Sequence, residues 1–498
     1  MLSIATRLIA KLIIPTILSL VSLSVLPVKA EPAIAKAQVI IHPEQPGVKI
    51  PTDFLGFSDE KKILSRGCFE PTNAVLINLF RNLGPGVLRI GGHAVESTFW
   101  SRNVTTPLTP MTDKKPYEKE TPVTLGPQSV DDLFAFAKEC GWRVIYGLNL
   151  GANKPEMAAD EAAYAFQAGG SSLLAFEVGN EPNLFHTNAK KKEKDAKDLK
   201  LTNLRPDGYT YEQYRSEIEN YYRAISAKLP HAPQAGPATT KTCSWIPDFV
   251  RDFKNRVVLV TSHAYPLSAK DEDPQSARFP SIEKLLSTDI QEDWLPKLKA
   301  ATSAGLPWRL GECNSASGGG KHGLSDVFAS ALWGTDFFFK IAEQGGAGIN
   351  LHGGYTPGRY SPIYFLDGDY HAAPIYYSML LFHQAAQGRV VPVECQTSSK
   401  LAAHAVMGDN HKLRVLLINK DLKTSVIASV SSGTSGTMAE VIRLTAPSIT
   451  STEGITLAGN SVAKDGTWTP RPGEKVSCMS GRFEVSLPAA SAALLICK

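Results

Sequence analysis

Between residues 53 and 385 the chain alternates short apolar runs with longer amphipathic ones, and this rhythm constrains its fold more than any other feature. The short runs are Phe54–Ser58, Val87–Ile90, Arg143–Asn149, Leu174–Val178, Gln234–Ala238, Val257–His263, Trp308–Gly311 and Gly348–His352. They have strand length rather than helix length. Between them, stretches such as Ser129–Cys140, Tyr211–Leu229 and Leu324–Ala342 place apolar residues three and four apart, the pattern of a helix with one buried face. Eight strands separated by helices predict an α/β fold, a (β/α)₈ TIM barrel over residues 53–385.

After residue 386 the texture changes. Leu413–Ile418, Ser425–Val430, Glu440–Leu444 and Phe483–Leu487 are short β-rich runs divided by Gly, Ser, Thr and Pro. They predict a C-terminal antiparallel β-sandwich domain over 386–498. Within the N-terminal segment 31–52, Gln38–Ile50 has the same character and is expected to join that domain. A 43% hydrophobic content is enough to bury both cores. The net charge of +4, from 52 basic and 48 acidic residues, offers nothing for nucleic acid.

Residues 1–30 stand apart. Arg7 and Lys11 precede an apolar run, Leu12–Leu26, and Val28-Lys29-Ala30 ends in a small residue. This layout predicts a cleavable signal peptide cut after Ala30, hence a secreted or periplasmic protein with no membrane span in its mature form. The apolar run is short for a span, which needs about 20 residues. Seven cysteines leave at least one unpaired within the chain, and none form a C-x-x-C metal or redox motif. Export would permit one or two disulfides, Cys478 with Cys497 for instance. Asn103-Val104-Thr105 is a glycosylation sequon. The lysine-dense insertion Lys190–Lys200 reads as a solvated loop or as a rim that holds an acidic polymer.

Barrel active sites lie at the C-terminal strand ends. Two strands end in a glutamate there: Ala175-Phe176-Glu177-Val178-Gly179-Asn180-Glu181-Pro182 and Trp308-Arg309-Leu310-Gly311-Glu312. On strands four and seven the two would face each other across the barrel mouth. Cleaving a glycosidic bond needs such a pair, one carboxyl protonated to assist the leaving oxygen and the other ionised to attack the anomeric carbon. Glu181 and Glu312 are therefore the catalytic candidates. There is no H-E-x-x-H and no G-x-S-x-G, and Gly318-Gly319-Gly320-Lys321 is followed by His322 where a phosphate loop has Ser or Thr. No metal or organic cofactor is expected.

Gly179-Asn180-Glu181-Pro182 resembles the acid/base signature of clan A retaining glycosidases. Glu177 to Phe185, Gly311-Glu312 with Ser315–Gly320 and Leu324-Ser325-Asp326, Leu88-Arg89-Ile90-Gly91-Gly92, and the C-terminal Leu487–Leu494 pattern are together similar to glycoside hydrolase family 79. The resemblance runs from about residue 38 to the end. It implies Glu181 as acid/base, Glu312 as nucleophile and retention of configuration. It further implies Asn180 on the sugar 2-hydroxyl, His263 and Tyr265 beside the nucleophile, and Glu96 where the family has an Asp reaching sugar hydroxyls. The loop Gly358, Arg359, Tyr360 and Ser361 resembles the family's uronate-binding loop. Ser317 and Arg359 depart from the pattern, since both stand where tyrosines are usual. The implied substrate is a uronate-containing glycan or glucuronide, cut by an exo-β-glucuronidase, or a heparan-type polysaccharide cut internally. A carbohydrate-binding protein without catalysis is the rival from another class. The sequence leaves the oligomeric state open.

Overall fold

The computed structural model describes residues 34–111, 122–186, 204–240, 243–289 and 295–497. The signal-like segment 1–30 and the insertion Lys190–Lys200 lie outside them. No helix among the described residues is long and apolar enough to cross a membrane.

Eight parallel strands close into a barrel: β1 Gly56–Glu60, β2 Val87–Gly91, β3 Arg143–Leu148, β4 Leu173–Val178, β5 Gln234–Thr240, β6 Val257–Ala264, β7 Trp308–Cys313 and β8 Gly348–His352. All eight apolar runs of the sequence are strands of this sheet. The barrel interior near its base is filled by Val87, Ile145, Ala175, Ala235 and Leu259. These come from successive strands, and their pleat turns them inward together. Surrounding helices bury the outer face, for example Pro127–Cys140 through Leu133, Phe134 and Phe136. That helix starts on Pro127 and stops at Gly141, whose φ of 71° no side-chain-bearing residue adopts cheaply. Helix Tyr211–Lys228 opens with a capping box between Thr210 and Gln213.

The second domain is a sandwich of two sheets. Strands Val393–Thr397, Ile34–Ile41, Ser425–Ser431 and Phe483–Leu487 form one sheet, in that order. The N-terminal strand Ile34–Ile41 thus lies inside the C-terminal domain. It runs parallel to Ser425–Ser431, while the other pairs of the two sheets are antiparallel. The seven-stranded sheet includes Leu401–Met407, Leu413–Asn419, Ser491–Cys497 and Met438–Thr445. Strand Leu413–Asn419 is buried on both faces. Leu413, Val415 and Leu417 enter the sandwich core. Leu416 and Ile418, one residue out of phase, join the core shared with the barrel. The two domains therefore share one continuous apolar seam. All seven cysteines are free thiols, so Cys478 and Cys497 are not bridged. Asn103 is exposed.

Candidate active site

Glu181 sits three residues beyond β4, in a turn that the local sequence imposes. Gly179 has φ 82°, and a Cβ there would lie 2.8 Å from Leu150. Only glycine meets both demands. Glu181 itself takes a left-handed conformation, φ 49° and ψ 51°. For a residue with a side chain this costs about 1–2 kcal/mol. The turn is held by the Glu181 N–H donating to Ala238 O at 2.9 Å, and by Glu181 O accepting from Leu184 N at 2.8 Å. A strained, over-determined backbone is common where a side chain must be aimed.

Glu312 is aimed by a bulge. The pairing of β6 with β7 slips between Leu310 and Glu312, at Gly311. A Cβ on Gly311 would fall 3.4 Å from Thr261 and 3.5 Å from Arg89, so the bulge sits in van der Waals reach of both. One Glu181 oxygen, one Glu312 oxygen and one His263 ring nitrogen all lie within 4.8 Å of one another. Retaining glycosidases separate their carboxyl groups by about 5–5.5 Å and inverting ones by about 6.5–9.5 Å. The spacing here is of the first kind. The same three groups have the ligand types of a metal site, but their oxygens already accept hydrogen bonds that suit an acid–base pair.

The cluster is organised around Arg89, which is wholly buried inside the barrel. Its Nη1 donates to Glu312 Oε2 at 3.0 Å, its Nε to Glu177 Oε2 at 2.5 Å and its Nη2 to Asn180 Oδ1 at 2.8 Å. Tyr265 OH donates to the other Glu312 oxygen at 2.7 Å. Burial alone would push the Glu312 carboxyl up. The charges of His352, His263 and Arg89 outweigh it and hold the group well below the usual carboxylate range. Glu312 is thus ionised, the state a nucleophile needs. His352 moves the other way: burial disfavours its charge, yet Glu312 and Glu60 carry it above the ordinary histidine value.

Glu181 meets different neighbours. His263 Nδ1 lies 2.9 Å from Glu181 Oε1 and 3.8 Å from Glu312 Oε2, and His93 Nε2 lies 3.4 Å from Glu181 Oε2. His263 therefore stands between the carboxylates and is nearer the acid/base candidate, not the nucleophile as expected. Tyr265 does flank Glu312.

The remaining expected contacts divide. Asn180 is fully buried beside the pair, and its Nδ2 has no hydrogen-bond partner. Tyr360 packs 6.1 Å from the Tyr265 ring and 5.9 Å from His352. Its neighbour Ser361 is buried, whereas Gly358 and Arg359 are exposed. Arg359 Nη1 donates to Gly320 O at 3.4 Å, tying the loop after β8 to the loop after β7. Glu96 corrects the expectation of a sugar contact. One of its oxygens accepts from Asn180 N and the other from Leu150 N and Gly151 N, at 2.5–3.0 Å. Burial raises its pKa to about 7. Glu96 shapes the backbone that carries Asn180 and Glu181.

Sequence reasoning missed Glu177, His93, His352 and Arg278, and gave Arg89 no role beyond its motif. The signal for Arg89 was present: a lone cation in the apolar run Val87–Ile90 must be compensated when buried. Arg278 Nη2 donates to Ser317 Oγ at 3.0 Å, and its Nε is buried without a partner. A guanidinium therefore stands beside the serine that departs from the family pattern.

The C-terminal domain matches the family model of the glycosyl hydrolase family 79 C-terminal beta domain over residues 403–494. A β-glucuronidase of Neurospora crassa is 26% identical over 319 residues, covering 57% of this chain and 54% of that protein. The sandwich domain is thus similar to the C-terminal domain of glycoside hydrolase family 79. Mouse heparanase is 27% identical over 320 residues, covering 61% of this chain and 53% of the heparanase. The chain thus spans about half the length of the curated relatives it matches. The solved 4-O-α-L-rhamnosyl-β-D-glucuronidase from Fusarium oxysporum 12S aligns over 93% of this chain and 100% of that structure. Its TM-score is 0.75 at 21% identity, which establishes the shared architecture of barrel and sandwich.

Proposed function

We propose that this protein is a family 79 exo-β-glucuronidase that removes terminal glucuronate, or 4-O-methylglucuronate, by double displacement. The observation that carries the reading is the carboxylate pair: Glu181 and Glu312 at retaining distance, with Glu312 held below the ordinary carboxylate range by surrounding cations. In the first step Glu312 attacks the anomeric carbon while Glu181 gives its proton to the leaving oxygen. In the second, Glu181 takes a proton from water, which displaces Glu312 and restores the enzyme. Asn180 Nδ2 and His263 Nε2 are buried donors or acceptors without protein partners beside this pair, and suit sugar hydroxyls.

The uronate reading is supported by the cations at the mouth, Arg278 and Arg359, on the loops after β6 and β8. A guanidinium can grip a carboxylate through two parallel hydrogen bonds. The names of the fungal relatives support the same substrate class. We further propose export, on the strength of the N-terminal signal pattern.

Hydrolysis of aryl β-glucuronide, its 4-O-methyl form, glucoside, galactoside and xyloside tests the reading. Turnover should be confined to the first two, and Arg278→Met with Arg359→Met should raise KM for glucuronide far more than they lower kcat. Activity on neutral glycosides alone would refute the uronate assignment.

A further inference from the structure

A cavity of about 410 Å³ lies at the base of the barrel, against the sandwich. This is within the range of small-molecule sites, about 300–1,000 Å³. Phe54 and Leu55 line it just before β1 begins, and Pro85 just before β2. The catalytic pair follows the opposite ends of the strands, roughly 17 Å away for a strand of five residues. The two sites are therefore separate.

The walls are unlike each other. The barrel side is apolar: Pro51, Pro85 and Ala386 are accessible there, backed by the buried Ile50, Phe54, Leu55 and Phe382. The sandwich side presents Arg414, the second residue of strand Leu413–Asn419. It shares the barrel-facing phase of Leu416 and Ile418. Arg414 is only 6% exposed. Its Nη2 donates to Gln387 Oε1 at 3.0 Å and its Nη1 to Lys412 O at 3.4 Å, while its Nε has no partner. Burial lowers its pKa below the ordinary arginine value, and no carboxylate offsets that loss. The one acidic side chain lining the cavity, Asp409, is engaged by Lys49 at 2.8 Å. His383 also lines the cavity, and burial lowers its pKa, favouring the neutral ring that can donate one N–H.

A buried cation without a counter-charge is costly, and its removal from a cavity wall is a simple substitution that this chain does not make. We propose that the cavity is a non-catalytic binding site for a small aryl carboxylate: the ring lies on Pro51, Pro85 and Ala386, and the carboxylate accepts from Arg414. Such a ligand supplies the missing charge and covers the apolar wall together. An inorganic anion meets only the first demand and a neutral aromatic compound only the second.

The test is calorimetric titration of the protein with 3-phenylpropanoate, 3-phenylpropanamide and inorganic phosphate. The carboxylate should bind saturably, with one site, at least ten-fold more tightly than either of the others. Arg414→Met should weaken it at least ten-fold and leave kcat/KM for an aryl glycoside unchanged. Ala386→Leu narrows the cavity with the arginine in place and should also weaken binding, which keeps the test intact if the arginine variant folds poorly. Equal affinity for the amide, equal affinity for phosphate, undiminished binding to both variants, or competition between 3-phenylpropanoate and the glycoside substrate would each overturn the assignment.

Discussion

The two ends of the barrel interior each hold a buried arginine, and the two are compensated by opposite means. Arg89, toward the C-terminal end, is paired with ionisable groups, Glu177 and Glu312. Arg309, toward the base, meets no carboxylate at hydrogen-bond distance. It donates to Asn350 Oδ1 and to the backbone carbonyls of Asp53, Phe54, Leu55, Ala347 and Ile349. Burial lowers its pKa to about 10, whereas the carboxylates around Arg89 raise that group above the ordinary arginine value despite its burial. Dipoles hold a charge in place without being able to change protonation. Carboxylates hold it and are themselves tuned by it. The difference separates an end of the barrel built for stability from an end built for chemistry.

The sharpest way to break this comparison is to remove the chemistry. Glu181→Gln should cost about 10²–10⁴-fold in kcat/KM on glycosides whose leaving group needs a proton. It should cost far less on an activated aryl leaving group. Glu312→Gln should abolish turnover on both. If Glu312→Gln keeps wild-type rates, the carboxylate pair is not the catalytic machinery.

Next come the arginines themselves. Arg89→Met leaves Glu177 and Glu312 buried together without their cation, and breaking such a pair costs about 3–5 kcal/mol of stability. In any folded fraction the acid limb of the kcat/KM profile should move to higher pH, because Glu312 loses a charge that keeps it ionised. Arg309→Met should cost roughly 1–3 kcal/mol and leave the acid limb where it is. Denaturant melts and pH–rate profiles of both variants check this contrast. A moved acid limb in Arg309→Met would erase it.

A third buried cation sharpens the point. His404 faces the barrel from the sandwich, with Nδ1 2.6 Å from Glu343 and Nε2 2.9 Å from Asp336. Burial disfavours its charge, but the two carboxylates raise its pKa to about 9. Its folded pKa exceeds its unfolded value near 6.5, so the stability it contributes is complete below pH 6.5 and lost as pH rises through 9. That contribution is roughly 3 kcal/mol at most. Melting temperature should fall between these pH values in the wild type, and the fall should be shallower in His404→Gln.

The smallest effect is expected of Glu96→Gln. The amide N–H₂ would oppose backbone donors that Glu96 now accepts from, and would displace the turn bearing Glu181. A loss of about ten-fold in kcat with little change in KM is expected for a small misplacement.

Much of this architecture was legible in the sequence. All eight barrel strands appear as apolar runs, because a parallel strand buried on both faces has no polar alternation to blur it. Glu181 and Glu312 stood out because a carboxylate at the end of such a run, after glycine, has no packing reason to be there. What could not be foreseen was partnership. Arg89 and Glu312 are 223 positions apart, and His404 and Asp336 are 68. A buried charge announces that it must be compensated, but not by which residue. Glu96 misled for the same reason: its position suited a sugar contact, and only the fold shows three backbone donors converging on it. That the N-terminal segment joins the sandwich was expected from its β-rich character, but its partner strand Ser425–Ser431 is a long-range choice that no local pattern encodes.

The central claim is retention through Glu312 and Glu181, and proton NMR of the first sugar released from an aryl β-glucuronide tests it directly. The account predicts that the β-anomer appears first and the α-anomer only later, by mutarotation. Release of the α-anomer first would mean single displacement by water and would contradict the roles assigned to both glutamates.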